Sequence, residues 1–361
     1  MKKKLLFSLA ILLSGSSLFL ASCTEDVQDL SRSVVDYTSN GKVYVLNQGS
    51  MGGGNSTLTS YDMDSKVTEE DIFSSVNGRN LGELGQDMGL YGSKLWIIMF
   101  GENTIEIVNS TTCVSLKQIS LQQPRHIAFD GGYAYITLFT GYLARIDTAT
   151  FEIKTVATGA NPEGIAISNH KIYVANSGGL NFPVYEKTIS IFNLSDLSLI
   201  ETKEVIANPF KFQRLDNNTL LLQSYGIYGS VAGGVQTINT QTDVVTPVAG
   251  LLVGNYIVKD ARSIYYYTSE YDANWQPIPS AISLYDLTSN QKVSSNVTAD
   301  SITFKNPYAL EVSPYNGSLC ITDAVGYGVD GEAYLISKNG EQEASFPVGL
   351  YPYAVAFTGK K

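Results

Sequence analysis

The chain has 361 residues and a formal net charge of −10. This acidic balance disfavours a nucleic-acid partner, because the phosphate backbone repels an acidic surface. Charged residues make up 16% of the chain, below the roughly 25% of an average domain, whereas 23 tyrosines and 32 glycines supply aromatic surface and tight turns. Long amphipathic helical patterns are absent from the sequence, which favours a β-rich fold.

The amino terminus has the parts of a secretory signal. Lysines at positions 2–4 form a basic start, and an apolar stretch over 5–20 follows that is too short for a membrane-spanning helix. It closes on Leu20-Ala21-Ser22-Cys23, which resembles the lipobox of bacterial lipoproteins, where the cysteine is acylated and the chain is cut before it. We predict a signal peptide at 1–22 and, at 23–40, a lipidated Cys23 with a flexible tether that anchors the protein without spanning the membrane. An ordinary cleaved signal, with no role for the cysteine, is the alternative.

Acidic residues follow the cysteine directly, in Thr24-Glu25-Asp26-Val27-Gln28-Asp29. They resemble the surface-export tag of gut-type Gram-negative lipoproteins. This resemblance implies a lipid-anchored protein of the outer membrane that faces the cell exterior. A plain solvated tether is the alternative.

A repeated pattern fills the chain from residue 41 onward. Each repeat begins as an alternating apolar strand, often after a proline, and turns into a second, aromatic-rich strand. Matching starts are Pro124-Arg125-His126-Ile127, Pro162-Glu163-Gly164-Ile165, Pro307-Tyr308-Ala309-Leu310 and Pro352-Tyr353-Ala354-Val355. A third strand follows and ends in Asp or Asn, whose side chain is expected to cap the turn into a fourth strand.

The spacing of the repeats predicts the number of blades. Prolines at 124, 162, 209 and 307 mark four starts, and two further starts are assigned near Asp87 and Asn255. Four-stranded units of roughly 40–50 residues in a closed ring are typical of a β-propeller. We predict an all-β, seven-bladed β-propeller at 41–361, in which the C-terminal strand closes blade one as its innermost strand. Six or eight blades would result if the unit at Asn255 is misassigned.

Residues with catalytic or metal-binding chemistry are few. The chain has two histidines, His126 and His170, without metal-ligand spacing, and it lacks a G-x-S-x-G motif. We therefore predict no catalytic residue, no metal site and no cofactor. A metal-dependent hydrolase or lactonase-type propeller stays an alternative, with an acidic and amide set of Glu163, Asn176, Glu311 and Asp323. Cys113 and Cys320 fall in non-adjacent blades, so we expect two separate buried thiols.

The loops between second and third strands share one face of a propeller, and here their predicted lengths differ. Blades two and three have tight loops at 100–103 and 139–141, whereas blades four to seven have long ones. The long loops carry the predicted ligand-binding residues, which are all aromatic: Phe182, Tyr185, Tyr225, Tyr228, Tyr271, Trp275 and Tyr327. We call these seven side chains the aromatic rim, and we expect a cup for a large, flat, partly apolar ligand. Simple packing of these side chains onto the propeller is the alternative.

The repeat pattern resembles that of YncE-like propellers over 41–359. The opening Val43-Tyr44-Val45-Leu46-Asn47-Gln48-Gly49 and the close Phe346-Pro347-Val348-Gly349-Leu350-Tyr351-Pro352 resemble a subgroup of Gram-negative surface lipoproteins. Characterised members of that subgroup capture cobalamin and pass it to a TonB-dependent outer-membrane transporter. The resemblance implies a ligand-binding lipoprotein with two partners, a small molecule such as cobalamin or another corrinoid, and such a transporter. A protein- or glycan-binding scaffold is the main alternative.

Overall fold

The computed structural model describes residues 39–360, which form seven four-stranded antiparallel sheets. The innermost strands of successive sheets contact one another around a closed circle, from blade one to blade seven and back. The predicted all-β, seven-bladed propeller is therefore confirmed. One short helix interrupts the strands, and none of the helical structure in 39–360 has the length and hydropathy needed to cross a membrane.

Except for the innermost strand of blade one, the strands of each blade follow one another along the chain. Blades one and two contain β1 (Ser39–Asn47), β2 (Thr57–Asp62), β3 (Thr68–Glu69), α1 (Ile72–Asn77), β4 (Gly85–Tyr91), β5 (Lys94–Met99), β6 (Thr104–Asn109) and β7 (Ser115–Ser120). Blades three and four contain β8 (Pro124–Asp130), β9 (Tyr133–Leu138), β10 (Tyr142–Asp147), β11 (Ile153–Ala157), β12 (Pro162–Ser168), β13 (Lys171–Asn176), β14 (Thr188–Asn193) and β15 (Leu199–Glu204). Blades five to seven contain β16 (Pro209–Arg214), β17 (Thr219–Ser224), β18 (Gly234–Asn239), β19 (Val244–Pro247), β20 (Asn255–Asp260), β21 (Ser263–Tyr267), β22 (Ser283–Asp286), β23 (Gln291–Ser294), β24 (Pro307–Val312), β25 (Leu319–Asp323), β26 (Asp330–Ile336) and β27 (Gln342–Leu350), and β28 (Pro352–Lys360) follows.

The ring closes where β28 pairs with β1. The strand order of blade one is β28-β1-β2-β3, with Tyr44 opposite Ala356 and the backbone N–H of Lys42 donating to Thr358 Oγ1 at 2.7 Å. The C-terminal strand is thus the innermost strand of blade one, as predicted, and this pairing removes two open strand edges. The predicted signal peptide, Cys23 and the tether up to residue 38 lie outside the described residues and stay predictions.

The second strand of each blade belongs to the core, because its two faces pack against the neighbouring blades. In β5 the run from Leu95 to Met99 is buried at every position, so both faces of the strand meet apolar neighbours and the alternation typical of a half-buried strand is lost. Trp96 is fully buried here, and burying a side chain of this kind contributes about 2 kcal/mol. Cys113 and Cys320 are separate buried thiols, as expected, and burial raises the pKa of the Cys113 thiol to about 12.

Third strands end in the predicted side-chain caps. Asp147 Oδ1 accepts the backbone N–H groups of Ala149 and Thr150, both at 2.8 Å. The same arrangement recurs at Asp62, Asn109, Asn239 and Asp286, and Asn193 Oδ1 accepts the backbone N–H and the hydroxyl of Ser195. We call the face that carries the loops between second and third strands the long-loop face. The capped turns lie on the opposite face of the propeller.

Candidate ligand-binding site

A cavity of about 1000 Å³ follows the axis of the propeller. Residues of all seven innermost strands line it, and Tyr225, Leu252 and Tyr271 from the loops line its end at the long-loop face. Pro314 and Tyr315 line the other end. Small-molecule pockets span roughly 300–1,000 Å³, so this cavity is at the upper end of that range and has room for a large ligand.

The mouth of the cavity is built by a recurring irregularity at the start of the innermost strands. The residue just before the strand has a positive φ, between 46° and 56°, at Leu84, Gln123, Asn161, Asn208 and Tyr351. In six blades the pairing register then shifts within the first residues of the strand. Bulges of this kind re-aim side chains, and the second residues of four of these strands, Gln86, Phe210, Tyr308 and Tyr353, line the cavity.

On blades two to four an ion pair supports the wall of the cavity near its mouth. Arg125 donates from Nε and Nη2 to the two carboxylate oxygens of Glu163, at 2.8 and 2.7 Å, and from Nη1 to Gln86 Oε1 at 2.9 Å. Its guanidinium carbon also lies 4.8 Å from the ring centroid of Phe100 and 4.9 Å from that of Phe139, which come from the two tight loops. Side-chain exposure is 15% for Arg125 and 7% for Glu163, so this bidentate pair is shielded from water and fixed in orientation.

Two further contacts extend the polar wall. Gln86 Nε2 donates to the hydroxyl of Tyr353 at 2.9 Å, which links blade two to blade one. His126 Nδ1 lies 3.2 Å from Asp87 Oδ2, and the same oxygen accepts the backbone N–H of Ile127 at 3.0 Å. These contacts hold the cavity-lining side chains of Gln86, Asp87 and His126 in place.

Farther around the cavity, Lys211 and Glu311 line the wall on β16 and β24. Lys211 Nζ donates to Asn255 Oδ1 at 2.8 Å and to the carbonyl oxygen of Tyr256 at 2.9 Å. Burial raises the pKa of Glu311 and lowers the pKa of Lys211, and the opposite charge of each residue partly offsets the shift of the other. Burial in the cavity wall therefore destabilises the charged form of each group.

Residues 41–246 match the family model described as Domain of unknown function (DUF5074). This chain belongs to the DUF5074 family. No curated protein matches its sequence.

Solved structures resemble this DUF5074 protein in fold. A quinonprotein alcohol dehydrogenase-like protein from Bacteroides thetaiotaomicron VPI-5482 has a TM-score of 0.65 and 16% identity, over 89% of this chain and 79% of that chain. A 6-phosphogluconolactonase-like protein from Bacteroides uniformis ATCC 8492 has a TM-score of 0.63 and 9% identity, over 88% and 99%. Hydrazine synthase from Kuenenia stuttgartiensis has a TM-score of 0.59 and 15% identity, over 76% and 95%. At these identities the likeness shows the propeller fold alone.

Two members of the aromatic rim of this DUF5074 protein lie at the cavity. Tyr225 and Tyr271 line its end at the long-loop face. The ring of Tyr225 packs against Phe210, with ring centroids 4.8 Å apart. Burial raises the pKa of both tyrosines, since the phenolate would have to form away from water.

The other five members lie on the loops around this opening and are not among the cavity-lining residues. Tyr327 donates its hydroxyl to the carbonyl oxygen of Trp275 at 3.5 Å, which joins the loops of blades six and seven, and Trp275 is 67% exposed. Phe182 and Tyr185 touch edge to face, with ring centroids 6.1 Å apart. Tyr228 is 88% exposed. The structure thus brings Trp275 and Tyr327 together, and it places Phe182 and Tyr185 in a separate pair on blade four.

Further cavity residues belong to the innermost strands and were not among the predicted ligand-binding residues. Phe210, Tyr308 and Tyr353 line the cavity, and the rings of Tyr308 and Tyr353 lie 5.8 Å apart. Burial raises the pKa of Tyr308 to about 12. A signal was present, because each of these aromatic residues directly follows the proline that starts its repeat.

The acidic and amide set of the hydrolase alternative is engaged in structural contacts at three positions. Glu163 pairs with Arg125, and Asn176 Nδ2 donates to the hydroxyls of Thr188 and Ser190. Asp323 accepts two backbone N–H groups of the blade-seven entry, both at 2.8 Å. Within residues 39–360, no three His, Cys, Asp or Glu side chains come close enough together to hold a metal ion.

Proposed function

We propose that this DUF5074 protein binds a large, partly apolar small molecule at the long-loop face, and that the ligand is a corrinoid such as cobalamin. The observation that carries the proposal is the cavity of about 1000 Å³ whose opening is bordered on blades four to seven by exposed aromatic side chains. Concave sites with apolar walls and a few fixed polar groups are the usual form of small-molecule sites. A flat macrocycle would cover the opening and contact the rings around it.

The charges of the cavity wall support a ligand without a large negative charge. Lys211 is the cation among the cavity-lining residues, whereas Asp87, Glu270 and Glu311 carry carboxylates. An anionic siderophore would be repelled by this wall, while a nearly neutral corrinoid would not. We therefore expect binding that depends only weakly on salt concentration.

The position of the first strand supports delivery from a membrane anchor. β1 ends at Asn47 on the long-loop face, so Ser39, where the predicted tether joins it, lies on the opposite face. A lipid on Cys23 would then leave the opening free to receive a ligand and to meet a TonB-dependent outer-membrane transporter. Replacing Cys23 by Ala should release the protein from the membrane fraction, and a variant that still sediments with membranes would contradict this part of the proposal.

Isothermal titration with cobalamin tests the ligand assignment. We expect saturable binding by the wild type, and a loss of about 2 kcal/mol, roughly thirtyfold in Kd, in Trp275→Ala, if Trp275 packs on the ligand as an aromatic anchor. Tyr142→Ala is the matched control, because Tyr142 is 46% exposed but belongs to short-looped blade three. No binding by the wild type would dismiss the corrinoid, and unchanged binding by Trp275→Ala would move the site off the aromatic rim.

A protein- or glycan-binding scaffold is the second candidate, and one observation favours it. Leu180, Phe182 and Val184 on the blade-four loop are each at least 70% exposed and do not line the cavity. Exposed apolar clusters of this kind mark interaction surfaces. A thermal-shift screen with cobalamin, haem, siderophores and glycans separates the two candidates, because a ligand that binds only the folded state raises Tm.

A further inference from the structure

The ammonium group of Lys211 has a hydrogen-bond donor to spare in the cavity wall. A lysine ammonium carries three N–H donors. Two are used within the protein, by Asn255 Oδ1 and by the carbonyl oxygen of Tyr256. These two contacts fix the position of the ammonium group, and the third donor remains for a group inside the cavity.

Glu311 offers the complementary acceptor on the same wall. Among residues 39–360, no hydrogen bond to its carboxylate and no direct ion pair with Lys211 is formed, although the two charges interact. Both side chains line the cavity, on strands of blades five and seven that are separated by blade six. A donor and an acceptor thus face the cavity with a gap between them.

We infer that Lys211 and Glu311 together bind a primary carboxamide of the ligand, whose carbonyl oxygen accepts from Lys211 and whose amino group donates to Glu311. A free carboxylate would gain Lys211 but meet repulsion from Glu311 and from Asp87, which also acts on Glu311. A free ammonium group would meet repulsion from Lys211. A neutral amide satisfies both groups and brings no uncompensated charge into the cavity.

This inference deepens the proposed function and rests on it for the identity of the whole ligand, since corrinoids carry primary carboxamide side chains. The burial that opposes the charged forms of Lys211 and Glu311 supports it. Charge-assisted hydrogen bonds from a ligand would stabilise those charged forms, so the pair gains more from such a ligand than two solvated residues would.

Ligand-observed NMR with three small probes tests the inference without a corrinoid. Propionamide, propionate and propylammonium have matched size and differ in charge. We expect propionamide to bind more tightly than either ion, and its binding to be lost in Lys211→Met and Glu311→Met but retained in Glu311→Gln, which keeps an accepting oxygen. Equal or tighter binding of an ion, or propionamide binding that survives both Met variants, would overturn the inference.

Titration of the same folded variants with cobalamin separates this inference from the proposed function. We expect about tenfold weaker binding in Lys211→Met and in Glu311→Met, the size of effect typical of a lost hydrogen bond to a charged group. Cobalamin binding that is unchanged in both variants would overturn the inference and leave the proposed function intact. Propionamide binding with no cobalamin binding would remove the corrinoid and keep the carboxamide site.

Discussion

The two sides of the cavity mouth are built in different ways. On blades two and three the loops are tight, and Phe100 and Phe139 lie against Arg125, which is tied to Glu163 and Gln86. On blades four to seven the loops are long and leave large apolar side chains in solvent, among them Leu180, Phe182, Tyr228, Trp275 and Tyr327. One side is therefore a fixed wall, and the other is an exposed aromatic surface.

The difference shows how one repeated scaffold supports a local function. Both sides start from the same strand entry, with a positive φ at Gln123 on blade three and at Asn208 on blade five. What differs is the loop that follows the second strand. A rigid polar wall keeps the ligand-facing groups in position, whereas exposed aromatic side chains gain free energy only when a partner covers them.

The largest expected effect concerns the fixed wall. Glu163→Gln should lower the free energy of unfolding by about 3 kcal/mol, because it leaves the shielded charge of Arg125 without its partner. Phe182→Ala, on the exposed side, should change stability by less than about 0.5 kcal/mol. Urea unfolding of both variants measures the contrast. Similar losses of unfolding free energy in the two variants would contradict the distinction between the fixed wall and the exposed aromatic surface.

A smaller effect is expected when one long loop is shortened. Replacing 177–186 by the tight loop of blade three should leave the protein folded, with a stability change below about 1 kcal/mol, because closure entropy varies slowly with loop length. Cobalamin affinity should stay within about threefold of wild type, because Phe182 and Tyr185 form a pair of their own on blade four, apart from Trp275 and Tyr327 and from the rim residues that line the cavity. A larger loss of affinity, measured by titration calorimetry, would extend the ligand site to blade four.

The smallest expected effect concerns the face opposite the long-loop face. There the capped turns of blades two and three and those of blades five and six are alike. Backbone N–H bonds lower the pKa of Asp147 on blade three and of Asp286 on blade six below the ordinary value of 3.8. The unfolded chain therefore takes up protons first as pH falls, so this stabilisation is present above about pH 4 and is lost as pH falls through the folded-state pKa. Asp147→Asn and Asp286→Asn should each remove a small and equal part of the loss of folding stability at low pH.

The control for these two variants is within the chain, because Asn239 already caps the equivalent turn of blade five. Asparagine keeps the accepting oxygen and cannot titrate. Thermal unfolding between pH 3 and pH 7 measures the effect. A marked difference between the Asp147 and Asp286 variants would mean that the opposite face also distinguishes the two sides.

Much of the fold could be predicted because its signals are local and repeated. The proline at a strand entry and the Asx residue at the end of a third strand, as at Pro162 and Asp147, each act on neighbouring backbone. Even blade six, which starts at Asn255 without a proline, follows the same order of strands. The closing strand could be predicted because Pro352-Tyr353-Ala354-Val355 repeats the strand-entry pattern of Pro307-Tyr308-Ala309-Leu310.

The site was less predictable, since it depends on contacts between distant repeats. Loop length and aromatic content indicated Tyr225 and Tyr271, but they do not distinguish these two residues from Phe182. Each long loop has its own conformation, so a repeated sequence pattern cannot show which of its side chains reach the cavity. Lys211 and Glu311 are about 100 residues apart in sequence, and only the fold places both at the cavity, on strands of blades five and seven. Nothing in the sequence around either residue indicates the other.

Hydrogen–deuterium exchange with and without cobalamin tests whether the ligand lies at the cavity opening of the long-loop face. We expect slower exchange on binding at 225–233 and 268–282, and unchanged exchange in the turns of the opposite face at 62–66 and 147–151. Protection confined to those opposite turns, or to the outermost strands, would contradict this position of the ligand.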